Sequence, residues 1–455
     1  MTELKTKYNQ GKPFDQMAKE LYRTVNIGKG FKIWMGFLII SFAACIYAYT
    51  IQFRTGLGVA GIRDFVSWGM YISNFVFFVA TSLIGMLISA VVGFSGQKWV
   101  TPITRIAEII AIAFAAVAGL VIVSDMGRPD RLAYVIIYGR LQSPILWDIT
   151  VITTYVVISI LLLYLPLIPD LAIGKKHLGH APKWVVKVYD ILSLGYKGSE
   201  YEQKVINRSI RTLLILIIPV ALAIHTVTSW LFAATPRVGW DSTIFGPYFV
   251  SGAFVSGTAA VIIAMFFFRR SYKLQDYITI EHFDKMARLL ILVSLVYLYF
   301  NINEFIVPAY KLKKADAVHL HDLFVGHHAL LFWSVQILGL VLPILLLLFK
   351  AIRKPLPMLV ISIFVIAGAW LKRYIIVVPT QEHPYLPIQH VPDYFKVYSP
   401  TLIETAITLA SIILVLMIIT VLSKVFPIIP VAETAHENGI DISYEEKQIN
   451  NSESK

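Results

Sequence analysis

Residues 402–425 read LIETAITLASIILVLMIITVLSKV, and no charged side chain stands between Glu404 and Lys424. A helix advances about 1.5 Å per residue, so a run of this length spans the roughly 30 Å of hydrocarbon in a bilayer. Lipid offers no hydrogen-bond partners, so only helices or closed barrels satisfy every peptide group there. Comparable runs lie at 33–53, 65–94, 103–123, 145–168, 212–233, 244–268, 286–306, 329–349 and 356–378. The alternating strands of a barrel are absent. Composition agrees, with 57% hydrophobic and 15% charged residues and a mean hydropathy of +0.69. The expected fold is an all-α polytopic membrane protein with about ten transmembrane helices. The first run has neither a short apolar h-region nor an A-x-A site, and reads as a retained helix.

Basic residues set the expected orientation. Of 40 lysines and arginines, 28 fall in 1–32, 95–105, 169–211, 269–288, 350–354 and 424–455. These segments alternate with poorer ones, which predicts cytoplasmic termini by the positive-inside rule. The net charge of +12 is therefore mostly an orientation signal. No basic patch interleaved with aromatics points to nucleic acid. Within 169–211, Trp184–Leu194 has the periodicity of a short interfacial helix. The segments 124–144, 307–328 and 379–400 are expected as outer loops forming a docking surface. The polar, acidic stretch after Pro430 is expected to be disordered.

Gly69-Met70-Tyr71-Ile72-Ser73 and Gly246-Pro247-Tyr248-Phe249-Val250-Ser251 open the second and sixth runs alike. An even offset keeps orientation, so the match suggests a parallel duplication. It divides the chain into a tail 1–32, a flanking helix 33–53, two four-helix bundles at 65–233 and 244–378, a last flanking helix 402–425 and a tail 426–455. Cys45 is the sole cysteine. That excludes a Cys-ligated iron–sulfur cluster and a C-x-x-C-H haem site within the chain.

Ionisable residues within or beside the runs gather towards one face: Asp125, Asp148, His225, Glu304, His327, His328, Lys372, Arg373 and Glu404. Charge at membrane depth is costly and usually faces a cavity, a partner or a substrate. Asp125 opens the turn Asp125-Met126-Gly127-Arg128-Pro129-Asp130-Arg131. Either it pairs with a neighbouring arginine at a helix exit, or it handles protons. Asp148 sits near the start of the fourth run, as a dipole-favoured charge or as a proton acceptor. His225 is either a core histidine held by a nearby hydroxyl or a base. It has no mate at matched depth on a facing helix, which argues against haem b. Lys372 and Arg373 either snorkel or hold an anion. Glu108 either pairs with Arg105 or joins a proton path. His319, His321, His327 and His328 lack a ligand spacing and read as solvated loop histidines, so no metal site is expected. In the second run, Asn74 carries more weight than the interfacial aromatics Trp68 and Tyr71.

Taken in order, Val66-Ser67-Trp68-Gly69, Asn74-Phe75-Val76-Phe77, Leu87-Ile88-Ser89-Ala90, Gly127-Arg128-Pro129, Trp147-Asp148, and Arg373-Tyr374 with Tyr398-Ser399-Pro400-Thr401 resemble the motifs of the polysulfide reductase/NrfD membrane-subunit family. The likeness runs through all the helices. Within the family it looks most like the integral membrane subunits of Hdr-like menaquinol oxidoreductase and Dsr-type complexes. The resemblance implies two four-helix bundles, a prokaryotic cell membrane, and no haem or iron–sulfur cluster in this chain. It also implies a menaquinol-type quinone as substrate near the outer face. An adjacent iron–sulfur subunit, with a cytochrome c subunit as a further partner, would take or give the electrons. Tyr71, Asn74, Arg373 and Glu404 are then the expected quinone contacts, with Asp125, Asp148 and His225 handling protons. The related alternative complex III subunits carry a histidine nine residues after the asparagine of the second helix; here that position is Leu83. They often have histidine where this chain has Asp125. A secondary transporter would share the repeat and the polar residues, but the runs lack a matched pair of Gly/Pro-broken segments.

Reporter fusions test the orientation. Fusions within 95–102 and 175–190 should report cytoplasm, and fusions within 311–318 and 385–395 should report the outside. The reversed pattern would move the ionisable cluster to the inner face.

Overall fold

A computed structural model describes residues 14–85, 88, 97–178, 181–311, 313–384 and 390–437. Of the motif Leu87-Ile88-Ser89-Ala90, only Ile88 lies within the described residues. Among those residues the chain is helical throughout, without strands. The helices are α1 Phe14–Tyr22, α2 Lys29–Thr55, α3 Met70–Ser82, α4 Thr101–Asp125, α5 Pro144–His177, α6 Lys183–Leu192, α7 Glu200–Ala233, α8 Phe245–Ser271, α9 Ile280–Lys311, α10 Lys314–Phe324, α11 Ala329–Leu348, α12 Pro355–Glu382, α13 Leu402–Val425 and α14 Val431–Glu437. Nine described helices are long and apolar enough to cross a membrane, and α3 adds a shorter apolar helix in the second run. The protein is an all-α polytopic membrane protein.

Helices α5 and α7 each run 34 residues, past the ends expected from hydropathy. Backbone hydrogen bonding needs no apolar side chains, so a helix continues into water wherever its ends are capped. Ser199 and Glu202 form a capping box at the start of α7. Helix α6 covers most of the expected interfacial stretch, with Val185 and Tyr189 buried and Trp184 exposed.

Helix α8 lies at the centre, packed against α3, α4, α7, α9 and α12. Its sequence explains this place. Gly252, Ala253, Ser256, Gly257, Thr258, Ala259 and Ala260 leave little side chain to keep neighbours apart. A Cβ on Gly257 would stand 2.6 Å from that of Ile84. Helices α11 and α12 touch similarly at Gly339 and Gly368, where α11 widens into a π-helical turn over Ile337–Val341. Helix α2 keeps Ile33, Ile40 and Phe53 exposed and rests mainly on α13, which also contacts α3 and α4.

The expected disorder after Pro430 does not hold for α14. Val431 and Ala435 are fully buried, and the helix packs on α1, α4 and α5. The cause is an acidic cap supplied by another helix. Asp170 of α5 accepts the amides of Val431 at 3.1 Å and Ala432 at 2.8 Å, which are first-turn donors with no partner inside their own helix. The same carboxylate pairs with Arg105 of α4 at 2.5 Å, both side chains being 1% exposed. Arg105 also reaches the carbonyl of Pro427 at 3.3 Å, and the Tyr22 hydroxyl of α1 donates to the carbonyl of Asp170. Local composition could not reveal a cap that comes from so far along the chain. Residues 438–455 lie outside the described residues.

Removing one member of a buried pair strands the other charge. Asp170→Ala should therefore lower stability by about 3–5 kcal/mol and sharply reduce abundance in the membrane. An Arg105→Met/Asp170→Leu double variant should recover part of that loss, because it leaves no unpaired charge. Thermal unfolding in detergent is the measurement. Equal melting of Asp170→Ala and wild type would contradict the assigned role.

Candidate functional site

At the opposite end of the bundle, the start of α13 is built around Glu404. Thr401 caps the helix: its hydroxyl accepts the Glu404 amide at 3.3 Å, and its own amide donates to Glu404 Oε2 at 2.8 Å. The carboxylate does more than complete this box. Oε2 also accepts the Gly61 amide at 2.8 Å, and Oε1 accepts the Tyr398 hydroxyl at 2.7 Å. Tyr398 in turn accepts the Met70 amide, an unpaired first-turn donor of α3, at 2.9 Å. Its ring fits there because residue 69 is glycine; a Cβ at Gly69 would stand 2.5 Å from the Tyr398 oxygen. Gln381 steadies the approach to α3, accepting the amides of Ser67 and Trp68 at 3.1 Å and donating to the Trp68 carbonyl at 2.7 Å.

Beside this knot, Tyr71 donates to Gln52 of α2 at 2.5 Å, and Gln52 donates to the Ser124 carbonyl at 2.6 Å. The next residue is Asp125, within electrostatic reach of Tyr71 and Glu404. Its Oδ1 is buried without a hydrogen-bond partner. It does not pair with the arginines of its turn; Arg128 bonds Asp130 instead. One turn into α3, Asn74 donates to Thr408 and accepts from Trp370, both at 2.7 Å. Tyr71, Asn74, Asp125 and Glu404, far apart in sequence, thus meet between α2, α3, α4 and α13.

Asp148 and His225 form a second group. Asp148 is buried and accepts the Thr228 hydroxyl of α7 at 2.5 Å. His225 lies about one turn from Thr228. Its Nδ1 is 3.1 Å from the Ala221 carbonyl, and its Nε2 is buried without a partner. The ring is within charge reach of Arg373 on α12. Arg373 is buried with its guanidinium 4.9 Å from the Phe249 ring, and its Nη1 has no partner. Its neighbour Lys372 neither snorkels nor offers a free charge, since Glu304 pairs with it at 2.9 Å. Tyr248, Asn301 and Gln336 continue this polar line through hydrogen bonds of 3.0 and 2.6 Å.

Gln52, Thr228, Gln381 and Tyr398 belong to these groups although only the last lies in a recognised motif. An amide within an otherwise apolar first run is the available signal for Gln52. A cavity of about 1130 Å³ lies elsewhere, lined by Phe77, Phe78, Phe114, Phe267 and Leu416 and reaching Lys424. It contains none of the orphaned acceptors, so the polar groups locate the chemistry better than volume does.

The histidines also depart from expectation. The segment expected as an outer loop is partly the end of α9 and partly α10, with His319 and His328 buried. His328 and His383 both bond Asp322 Oδ2, at 2.8 and 3.2 Å. Burial of Asp322 works to raise its pKa, but these two bonds outweigh it and hold the carboxyl well below its ordinary value. Burial likewise opposes a charge on His328, yet the Asp322 bond and the nearby Glu382 raise its pKa above the ordinary histidine value.

The chain is 27% identical over 339 residues to a putative dimethyl sulfoxide reductase membrane subunit of Halobacterium salinarum, covering 72% of this chain and 71% of the relative. It is 24% identical to a selenate reductase subunit of Mesobacillus selenatarsenatis, over 88% of this chain and 96% of that one. It is 23% identical to the Hdr-like menaquinol oxidoreductase integral membrane subunit of Archaeoglobus fulgidus, over 84% and 90%. The family model described as polysulphide reductase, NrfD matches residues 58–384, which span α3 to α12 but not Gln52 or the Tyr398–Thr408 segment, and the chain belongs to that family.

Proposed function

We propose that this chain is the quinone-interacting membrane subunit of a respiratory oxidoreductase complex. It exchanges electrons between a menaquinol-type quinol and an iron–sulfur partner subunit near the outer face of a prokaryotic cell membrane. A cytochrome c subunit is a further partner of the same complex. The observation that carries the reading is Asp125: a carboxylate oxygen buried at membrane depth without a donor, next to the Tyr71–Gln52 pair. A buried acceptor left unpaired costs free energy unless something else satisfies it, and a quinol hydroxyl is a suitable donor. The names of the related reductase and menaquinol oxidoreductase subunits support the same assignment. The basic bias of the opposite end supports cytoplasmic termini. The likeness of Gly69–Ser73 and Gly246–Ser251 supports two four-helix units, which α8 joins through its contacts with α3, α4 and α7.

Oxidation of a quinol to a quinone releases two electrons and two protons. This chain has one cysteine and so cannot ligate a cluster through cysteines; the electrons leave to the partner. The protons need acceptors. Asp125 and Asp148 are carboxylates in the half of the membrane that carries Glu404, and His225 is a third proton-carrying group. Tyr71 and Asn74 orient the ring, and Arg373 supplies positive charge near His225. Glu404, with its oxygens occupied by Gly61, Thr401 and Tyr398, acts as a positioning residue. The same groups serve quinone reduction when the partner donates.

Purification of the intact complex followed by solvent extraction tests the core of this reading. The chain should copurify with an iron-containing subunit and carry menaquinone-type quinone. Pure chain with transport activity and no associated redox subunit would replace it with the transporter reading.

Asp148→Asn and His225→Ala should each lower quinol-dependent electron transfer at least about tenfold, as expected for loss of a positioned proton acceptor. Asparagine keeps the shape of Asp148 and removes its basicity. His225→Gln separates the loss of a base from the loss of packing. Wild-type turnover in both variants, at normal complex abundance, would shift proton handling to Asp125 alone.

A further inference from the structure

The turn between α10 and α11 meets the end of α12 in a cluster that the proposed quinone chemistry does not use. Asp322 comes from α10, His328 precedes α11, and Glu382 and His383 close α12. Asp322 Oδ2 is 2.8 Å from His328 Nδ1 and 3.2 Å from His383 Nε2, and His328 Nε2 is 3.8 Å from Glu382 Oε2. Donor atoms of Asp322, His328 and Glu382 all lie within 4.8 Å of one another. We propose that Asp322, His328, Glu382 and His383 form a binding site for a divalent first-row transition-metal ion of the zinc class.

Three properties favour this ion. Bonds of about 2.0–2.2 Å set tetrahedral ligand atoms about 3.3–3.5 Å apart, and Asp322 Oδ2 lies 2.8 and 3.2 Å from His328 Nδ1 and His383 Nε2, so a small outward shift admits the ion. Two carboxylates and two neutral imidazoles carry a charge of −2, which a divalent cation balances. Mixed nitrogen and oxygen donors suit zinc rather than calcium or magnesium, which take oxygen. His328 turns Nδ1 towards Asp322 and Nε2 towards Glu382, so with His328 Nδ1, Asp322 and His383 on the ion, Glu382 faces the Nε2–H as the usual support of a metal-bound histidine.

A separate observation points to the same place. His319 lies one turn before Asp322 on α10, is 7% exposed, and has its Nδ1 buried without a partner. Its ring meets that of His383 edge-on at 6.1 Å. With three protein ligands the ion keeps a water in its fourth position, and such a water would give this nitrogen the partner that the ion-pair network does not. The site would also brace the quinone region, because Glu382 Oε1 accepts the Tyr398 amide at 2.8 Å and Tyr398 holds Glu404 and Met70.

The intact complex, stripped with a chelator, dialysed against micromolar free zinc and desalted, should retain one zinc per copy of this chain by elemental analysis. His383→Gln, at a position 26% exposed and therefore tolerant, and Asp322→Asn should each weaken zinc retention at least about tenfold. Zinc should raise the melting temperature of the wild type and not of either variant. X-ray absorption at the zinc edge of the wild type, which needs no variant, should show imidazole nitrogen and carboxylate oxygen at about 2.0 Å. No retained zinc in the wild type, equal zinc in wild type and His383→Gln, or a zinc spectrum without imidazole would overturn the site and leave an ion-pair network. None of these readouts depends on quinone turnover.

Discussion

The carboxylate of Glu404 ties together the end of the bundle where the candidate site lies. It takes donors from Thr401 and Tyr398 of its own segment and from Gly61, which lies far away in the sequence. Helix α13 starts where it does because of this group, and α3 starts where Tyr398 accepts its first-turn amide. Asn74, Tyr71 and Asp125 are consequently held at fixed height against α2, α4 and α13. A carboxylate in such surroundings has few lone pairs left for a ligand, which is why its role is to position others.

Asp170 repeats the device at the other end. There the carboxylate offsets Arg105 and caps α14, so a short polar tail becomes part of the core. In each case a cost that lipid and burial impose on an ion is met by assembling donors from distant segments. Between the two ends, association of the helices depends on close approach. The small residues of α8 and the Gly339–Gly368 contact give it, since apolar side chains gain little from leaving one apolar environment for another.

Near the candidate site some polar atoms escape this rule. Asp125 Oδ1, His225 Nε2 and Arg373 Nη1 are buried and unpartnered, while Asn74, Lys372 and Asp148 have protein partners. Sequence ranks Lys372 with Arg373 because both are cations in the same turn of helix; only the position of Glu304 on α9 tells them apart. It sets His328 among solvated histidines because 307–328 is polar, whereas α10 folds that segment back onto α12 and buries it.

Membrane embedding and the all-α polytopic plan follow from the sequence alone. Their cause is one-dimensional: about 20 apolar residues span the hydrocarbon, and ions within such runs stand out by composition. The family, too, is legible, through short motifs spaced along the chain. What needs the tertiary structure is partnership. Gln52 with Tyr71, Asp148 with Thr228, Asp170 with the first turn of α14, and Asp322 with two histidines are contacts between helices. Apolar periodicity says which face of a helix is buried, but in a membrane both faces of many helices are apolar. Which neighbour a side chain meets is then decided by helix rotation and close packing, quantities that no single run encodes.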